Sequence, residues 1–345
     1  MTGIQVGIFE DSCSKEWDQW IQSAPKATVF HRDGWLRRAA EDSGTRLIRF
    51  VCQKEGEGPV CLIPGFVQRK GPFRILHSPP PGCGIPYLGP VFLHRSERQH
   101  RVEADRIDSV TAWLEYIEDS GIASLLRIVA APGIDDVRPF LWKGFRANPL
   151  YTYCLDLSQG EKEIREGFDK RIRKRIQTRF ETSGVEEVTN TGLGIAELHE
   201  LLMKKYADQG RLLGFSVRYL NRLNEVFGDT EMGFRGFKSN GRLLTGVVYL
   251  KTAERWTAWI GGVGPPKEYN GLVEQLHWKN IQEAIAANVK IYERIGANTP
   301  HLCESKSKYN FRPVSYFELI RGTLSARGAL CAYKWIRRKH VAEVD

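Results

Sequence analysis

The stretch from Met232 to Arg321 constrains the fold of this 345-residue chain more than any other part. It contains three β-rich runs, MGFRGFKS, LLTGVVYLK and RWTAWIGGV, separated by the turn signals SNGR and TAER. Apolar residues then recur at helical spacing from Leu272 to Ile285, and a strand, a polar helical segment and a last strand follow. This order predicts a mixed, mostly antiparallel sheet flanked by helices.

The first part of the chain contains a looser version of the same order. Helical patterns around Trp17 and Trp35 precede two β-rich runs, a Pro- and Gly-rich loop, an amphipathic helix and a short apolar strand. Since a domain usually holds roughly 100–200 residues, the chain has room for two. We therefore predict an α+β protein with an N-terminal domain at 1–150, a C-terminal domain carrying the functional site at 151–322, and a basic helix at 323–345.

The positive charge of the chain is concentrated in its second part. The net charge is +9, yet the first 150 residues contain 19 Lys and Arg against 18 Asp and Glu, while the remaining 195 contain 31 against 23. Such an excess favours a polyanionic partner, either nucleic acid, a nucleotide diphosphate or an anionic membrane surface. Charge that serves only solubility is the alternative.

Several classes of protein lack support in the sequence. The opening MTGIQVGIFEDSCSKEW has no signal-peptide pattern, and apolar runs such as Leu243–Leu250 are far shorter than the roughly 20 residues that cross a bilayer. Seven scattered cysteines form no CxxC pair, and the histidines show no ligand spacing. G-x-S-x-G, H-E-x-x-H and Walker motifs do not occur. We expect a cytoplasmic protein that binds no metal.

Several short motifs resemble, in their order and spacing, those of the Fem family of tandem GNAT-like acyltransferases. They are Phe30 with Trp35, LDLS at Leu155–Ser158 before a basic helix, the helix NGLVEQLHWKNIQEA, and IGAN at Ile295–Asn298. The resemblance covers most of the chain. It implies two fused acetyltransferase-like domains that move an amino acid from aminoacyl-tRNA to an amine of a peptidoglycan precursor or another small peptide.

The resemblance also implies a catalytic role for Lys306. In ESKSKYNF, Lys306 matches the lysine of the family's Phe-Lys pair, while Ser305 stands where an aromatic residue is usual. Tyr309 or Phe311 could supply the aromatic group instead. A lysine can stabilise an oxyanion or a donor phosphate as a point charge. Without the resemblance, a lysine in a polar segment is ordinarily solvated.

Candidates for substrate contact lie in two further regions. Arg211, Arg218 and Tyr219 occupy the segment where Fem relatives place acceptor-binding arginine and tyrosine, although a solvent-facing helix would look the same. Trp256 and Trp259 are three apart in a predicted strand and should point to opposite faces. Trp259, beside two glycines, is the better candidate to line a cleft; core burial is the alternative. The full set of proposed substrate-binding residues is Arg211, Arg218, Tyr219, Trp259, Tyr269, Asn270 and Trp35.

Two basic segments could hold RNA through its phosphates. The segment DKRIRKRIQTRF predicts an amphipathic helix with an apolar seam at Ile172 and Ile176, and KWIRRKH lies near the end of the chain. The predicted tRNA-binding residues are Arg171, Arg173, Lys174, Arg175, Arg179, Arg337 and Arg338. The alternatives are a solvated face and a peripheral contact with an anionic membrane.

The identity of the acyl donor separates the functional hypotheses. Coenzyme A-dependent GNAT enzymes hold the pyrophosphate with a Gly-rich loop before the helix that follows the meander. Here that loop reads GPPKEYNGL, whose two prolines remove two backbone donors. Fem proteins lack the Gly-rich loop as well, and the resemblance to them implies an aminoacyl-tRNA donor. The first hypothesis is therefore an aminoacyl-tRNA-dependent transferase without a cofactor. The alternatives are a GNAT N-acyltransferase of polysaccharide or small-molecule biosynthesis that uses acetyl coenzyme A, and a non-catalytic RNA- or membrane-binding module.

Overall fold

A computed structural model describes residues 3–10, 14–93, 96, 98–178, 184–189, 191–228, 230–322, 328 and 341–342. The turn at SNGR forms as its sequence predicts. Asn240 and Gly241 have φ angles of 48° and 72°, the left-handed pair that a two-residue hairpin turn requires. The chain divides into two units, residues 1–150 with 315–337 and residues 151–314 with 338–345.

The helices and strands follow one another in a mixed order. The elements of the first 150 residues are β1 (Ile4–Ile8), α1 (Ser14–Ser23), α2 (Asp33–Ser43), β2 (Arg46–Lys54), β3 (Gly58–Lys70), β4 (Phe73–Ser78), β5 (Val91–Phe92), α3 (Gln99–Ser120), β6 (Leu125–Val129), α4 (Arg138–Trp142) and the start of β7 (Arg146–Asp156). Those that follow are α5 (Glu161–Glu166), α6 (Lys170–Arg175), β8 (Val185–Val188), α7 (Thr191–Asp208), β9 (Leu212–Leu213), α8 (Val217–Phe227), β10 (Met232–Ser239), β11 (Arg242–Lys251), β12 (Arg255–Gly261), α9 (Leu272–Ala286), β13 (Ile291–Arg294), α10 (Pro300–Ser307), β14 (Arg312–Gly322) and β15 (Val341–Ala342).

The first unit is a mixed sheet covered by α3. Its strands lie in the order β1-β2-β3-β4-β6-β14, with β5 beside β3. The pair β4 and β6, which α3 connects, is parallel, and the other pairs are antiparallel. The apolar side of α3 buries Val110, Trp113 and Ile117 in one core with Phe50 and Ile128.

The second unit repeats this topology. Its strands lie in the order β7-β13-β12-β11-β10-β8. β10, β11 and β12 form the predicted antiparallel meander, α9 crosses over, β13 returns parallel to β12, and β7 lies antiparallel beside β13. The register of a parallel pair leaves the carboxyl ends of β12 and β13 at the same edge.

Helices cover both faces of the second sheet. Arg235 on β10 donates a hydrogen bond to Asn280 of α9 (2.6 Å). The adjacent Phe234 lies so close to α7 that a Cβ on Gly194 would be 2.2 Å from its ring. Because successive side chains of a strand point to opposite faces, α7 and α9 lie on opposite sides of the sheet.

The predicted fold class is confirmed: each unit is a mixed, mostly antiparallel sheet flanked by helices. Within the described part of the chain, no helix is long and apolar enough to cross a bilayer. Most of the predicted C-terminal helix at 323–345 lies outside the described residues. Of that segment the structure describes residue 328 and β15, which pairs in parallel with β9.

Candidate functional site

The parallel strands β12 and β13 part at their carboxyl ends. Their pairing runs only as far as Ala258 and Arg294, after which β12 continues to Gly261 while β13 ends. We call the opening between residues 259–262 and 295–297 the strand gap. In sheets with parallel strands, ligands commonly bind at carboxyl ends that separate in this way.

A β-bulge bends β12 at the start of the strand gap. Tyr249 of β11 pairs with Ala258 and Val248 pairs with Ile260, so Trp259 is an extra residue on β12. The bulge interrupts the alternation of side chains, and the prediction that Trp256 and Trp259 point to opposite faces therefore loses its basis. Both indole rings are buried, and that of Trp256 stacks on Tyr249 with centroids 5.3 Å apart.

The glycine that follows the bulge lets two backbones approach closely. A Cβ on Gly261 would lie 2.5 Å from the carbonyl oxygen of Gly246 and 2.8 Å from Cα of Val247. Both are backbone atoms of β11, which cannot turn aside as a flexible side chain would. The residue at 261 must therefore be glycine if the end of β12 is to keep its course.

Lys306 lies at the β13 side of the strand gap. It occupies the last turn of α10 with only 7% of its surface exposed. Its Nζ donates hydrogen bonds to the backbone carbonyls of Ile295 and Gly296, the first two residues beyond β13. The sequence predicts a solvated lysine in the absence of the resemblance, whereas the fold holds this ammonium in a fixed position beside a strand end.

A second buried cation, Arg294, ends β13. Its guanidinium lies 4.8 Å from the ring centroid of Tyr309 and 5.9 Å from that of Phe311. Burial, together with the positive charges of Arg294 and Lys306, holds the pKa of His277 well below its usual range. His277 is therefore neutral at physiological pH, with Nδ1 3.1 Å from the hydroxyl oxygen of Tyr292.

The fully buried carboxylate of Glu293 links β13 to the strands on either side of it. Glu293 accepts hydrogen bonds from Thr152 of β7 (2.8 Å) and from Thr257 (3.2 Å) and Arg255 (3.0 Å) of β12. It thus ties β13 to both neighbours just below the strand gap. These partners supply the hydrogen bonds that a buried carboxylate needs away from water.

The IGAN segment, Ile295–Asn298, follows β13 directly but is not part of a strand. The side chain of Asn298 accepts a hydrogen bond from the backbone N–H of Tyr151 (2.8 Å) and donates one to its carbonyl (3.3 Å). An amide side chain thus takes the place of a backbone partner for β7. The chain is then free to turn into α10, which carries Lys306.

The predicted acceptor residues in the α7–α8 segment have different surroundings. Tyr219 is buried, and its backbone N–H is capped by the Ser216 side chain (3.1 Å). Arg218 is exposed on α8. Arg211 is partly buried, with its guanidinium 5.8 Å from the ring centroid of Tyr206.

The structure has an open groove beside the strand gap that the sequence does not predict. It has a volume of about 350 Å³ and is lined by Leu201, Lys204, Lys205 and Asp208 of α7, by Gln209 directly after this helix, and by Val263. Lys205 donates a hydrogen bond to the carbonyl of Gly262 (3.4 Å), and burial lowers the pKa of its ammonium. The helical spacing of these α7 residues was visible, but only the fold shows that Val263 faces them.

The other predicted substrate contacts have different local surroundings. Tyr269 lies in the 3-10 helix Lys267–Tyr269, and its hydroxyl is 3.3 Å from Ser239 Oγ. Asn270 is exposed. Trp35 is fully buried in the first unit, with its ring edge-on to that of Phe30 and the centroids 5.1 Å apart. Its role in substrate contact stays a prediction.

The predicted basic helix is short but presents its charges to solvent. α6 ends at Arg175, sooner than the sequence pattern predicts, and buries Ile172. Arg171, Arg173 and Lys174 are exposed, whereas Arg175 donates a hydrogen bond to Glu274 of α9 (2.7 Å). The remaining candidates, Arg179, Arg337 and Arg338, lie outside the described residues.

The end of α6 covers the first turn of α9. Gln275 Nε2 donates to the carbonyls of Thr178 (2.6 Å) and Arg175 (3.3 Å). A Cβ on Gly271, the residue before α9, would lie 3.1 Å from the same Arg175 carbonyl. With Glu274 also in this turn, backbone carbonyls and a carboxylate occupy the place where a helix N-terminus would otherwise receive an anion.

Many solved structures share this fold, among them the three that follow. FemX matches 91% of this chain and 96% of its own, with a TM-score of 0.67 and 10% sequence identity. A tandem GNAT protein from the clavulanic acid biosynthesis pathway matches 92% of this chain and 97% of its own (TM-score 0.56, 13% identity). L-PGS from Bacillus licheniformis matches 92% and 95% (TM-score 0.56, 12% identity). No protein-family model and no curated protein matches the sequence.

These matches confirm the resemblance to Fem proteins at the level of the fold, and with it the prediction of a tandem GNAT-like architecture. Identities of 10–13% establish the fold alone. Since one fold can host unrelated functions, donor and acceptor have to be argued from the residues around the strand gap.

Proposed function

We propose that the second unit is an aminoacyltransferase, which moves an amino acid from aminoacyl-tRNA to an amine of a peptidoglycan precursor or another small peptide. The proposal depends above all on the position of Lys306, whose ammonium is fixed at the open end of a parallel strand pair. The resemblance to the Fem family, now supported by the shared fold, supplies the donor class.

The reaction needs positive charge where the carbonyl oxygen of the donor ester becomes an oxyanion. Lys306 is buried and tied to two backbone carbonyls, so its charge need not be reorganised when the oxyanion forms. Because His277 is neutral, the positive charge next to it comes from Lys306 and Arg294. A low-dielectric setting increases the effect of such charges on a developing anion.

Direct attack by the acceptor amine accounts for all the atoms. The amine nitrogen forms a bond to the ester carbonyl carbon, and the tetrahedral intermediate collapses with cleavage of the bond to the ribose oxygen. The nitrogen loses a proton and the ribose hydroxyl gains one. No protein nucleophile is required, in keeping with the missing hydrolase motifs.

The covered N-terminus of α9 supports RNA over coenzyme A as the carrier. A coenzyme pyrophosphate bound there would meet the carboxylate of Glu274 and the carbonyl of Arg175. A diphosphate would have to displace the ion pair of Arg175 with Glu274 and the contact of Gln275 with the Arg175 carbonyl, which opposes its binding. α6 instead turns Arg171, Arg173 and Lys174 to solvent, where they can contact the RNA backbone.

The donor can be tested by following label from two sources. The protein is incubated with an amine-bearing peptidoglycan precursor and either tRNA charged with labelled amino acids or labelled acetyl coenzyme A. We expect label to reach the amine from tRNA only. Transfer from coenzyme A alone would contradict the proposal, and binding of RNA without any transfer would indicate a non-catalytic module.

Neutralising the exposed face of α6 should weaken tRNA binding and its dependence on salt. In the variant Arg171→Gln, Arg173→Gln, Lys174→Gln, a plot of log Kd against log salt concentration should lose up to about three units of slope, since each phosphate contact contributes about 0.7–0.9. Affinity should fall most at low salt, where phosphate contacts are strongest. Fluorescence anisotropy with labelled tRNA would measure both quantities.

Lys290 provides the matched control for this experiment. It is also an exposed lysine of the second unit, but it precedes β13 at the amino end of that strand and pairs with Glu254 (2.9 Å). Lys290→Gln should leave the slope unchanged. Equal slopes for the wild type and the triple variant would remove α6 from the RNA-binding surface.

A further inference from the structure

Arg294 differs from two other arginines of the second sheet, Arg235 and Arg255, in its partners. Arg235 forms ion pairs with Glu187 and Glu283, and Arg255 pairs with Glu293. Arg294, only 7% exposed, forms no ion pair with any carboxylate of the described residues. Its Nη1 is buried and has no hydrogen-bond partner among the residues that the structure describes.

A buried guanidinium that lacks a carboxylate partner is unfavourable for folding. Taking a charge out of water costs several kcal/mol unless a partner of opposite charge and hydrogen bonds compensate. The rings of Tyr309 and Phe311 offset part of this cost through cation–π contact, which uses the face of the guanidinium. The N–H donors lie along the edge of the group. Arg294 also donates a side-chain hydrogen bond to Tyr309, and Nη1 stays without a partner among the described residues.

Arg294 and Lys306 act on the same small region. Arg294 directly precedes Ile295 and Gly296, whose carbonyls bind the Lys306 ammonium. Burial lowers the pKa of His277, and the positive charges of Arg294 and Lys306 lower it further, so both cations act on this common neighbour. Two cations at one strand end are suited to an anionic ligand, and a guanidinium edge fits the paired oxygens of a phosphate.

We propose that Arg294 binds the phosphodiester group of the nucleotide whose ribose carries the acyl ester. The inference rests on the proposed function, because it assumes that the reacting carbonyl lies at Lys306. In a ribose ester the nearest phosphate is one sugar ring away from the ester, which matches one cation at the end of β13, Arg294, and a second, Lys306 of α10, bound to the two residues that follow it. In an acyl coenzyme A the whole pantetheine arm separates the thioester from the pyrophosphate.

The site can be tested with two forms of uncharged tRNA, one intact and one lacking the terminal nucleotide with its phosphate. Loss of a charge-assisted hydrogen bond should weaken binding of intact tRNA to Arg294→Met by roughly 10-fold or more. The truncated tRNA should bind the wild type and Arg294→Met equally. Arg294→Lys keeps the charge but lacks the two-pronged guanidinium, so its affinity for intact tRNA should lie between those of the wild type and Arg294→Met.

Stability measurements separate this role from a structural one. Arg294→Met removes a buried charge that has no carboxylate partner among the described residues, so its Tm should equal or exceed that of the wild type. The matched control Arg235→Met leaves two carboxylates without their ion-pair partner and should lower Tm by roughly 6 °C or more. At temperatures where this variant is folded, its affinity for tRNA should be unchanged.

Three results would overturn the inference. They are equal affinity of wild type and Arg294→Met for intact tRNA, an equal loss for both forms of tRNA, and a Tm that falls as far as that of Arg235→Met. Transfer of label by the wild-type protein is measured in the same preparation. If the wild type transfers an amino acid from tRNA while Arg294→Met binds normally, the phosphate site is wrong and the proposed function stands.

Discussion

Lys306→Ala is expected to lower turnover by about 100-fold or more, the loss that follows removal of one group that stabilises an oxyanion. The expectation follows from the fixed position of the ammonium at the carbonyls of Ile295 and Gly296, where the donor ester is proposed to bind. Initial rates of label transfer from aminoacyl-tRNA measure the effect. The rate constant should fall more than the affinity for tRNA, because the charge acts mainly in the transition state.

Lys308 provides a matched control for this variant. It lies two residues further on, is partly exposed and pairs with Glu304 (3.3 Å). Lys308→Ala should retain near-normal turnover. In Lys306→Ala the pKa of His277 should rise, because one of the charges that hold it down is gone, and NMR titration can follow this change independently of activity. Near-normal turnover in a folded Lys306→Ala protein would remove Lys306 from the mechanism.

Gly261→Ala should damage both stability and activity. The new Cβ would lie 2.5 Å from the Gly246 carbonyl oxygen, so the end of β12 must move away from β11. Overpacking of this kind typically destabilises by about 1–3 kcal/mol. Because the displaced segment forms one side of the strand gap, a shift near 1 Å should also reduce turnover by roughly 100-fold. Denaturant unfolding and label-transfer rates would measure the two effects.

Gly264→Ala is the control for this substitution. Gly264 belongs to the same loop, but a Cβ there would meet nothing within 4 Å. Its stability and turnover should remain close to those of the wild type. If Gly261→Ala also behaves as the wild type does, the close approach of β12 and β11 is unimportant for the strand gap.

The order of elements was predictable because local chemistry determines it. Asn240 and Gly241 adopt the left-handed angles of a hairpin turn, and apolar residues at helical spacing place α9 against the sheet. The overall fold class follows from that order. The bulge at Trp259 was not predictable, since it arises from the register between β11 and β12 and leaves no mark in the residue pattern.

The candidate site could be predicted only in part, because burial and pairing are tertiary properties. Lys306 was found through the resemblance, yet nothing in ESKSKYNF shows that its side chain points inward. Arg294 was missed because a lone arginine in YERIGAN looks like an ordinary strand residue. Its distinguishing features are the aromatic rings above it and the lack of a carboxylate partner among the described residues, and both depend on α10 and the residues after it.

The most direct test of a transfer site at the strand gap is a structure with a non-hydrolysable donor, a tRNA 3′-end fragment that carries its amino acid through an amide in place of the ester. We predict that the carbonyl oxygen of this group lies within hydrogen-bond distance of Lys306 Nζ, about 3 Å. A donor carbonyl bound away from the gap between residues 259–262 and 295–297 would contradict the proposed site.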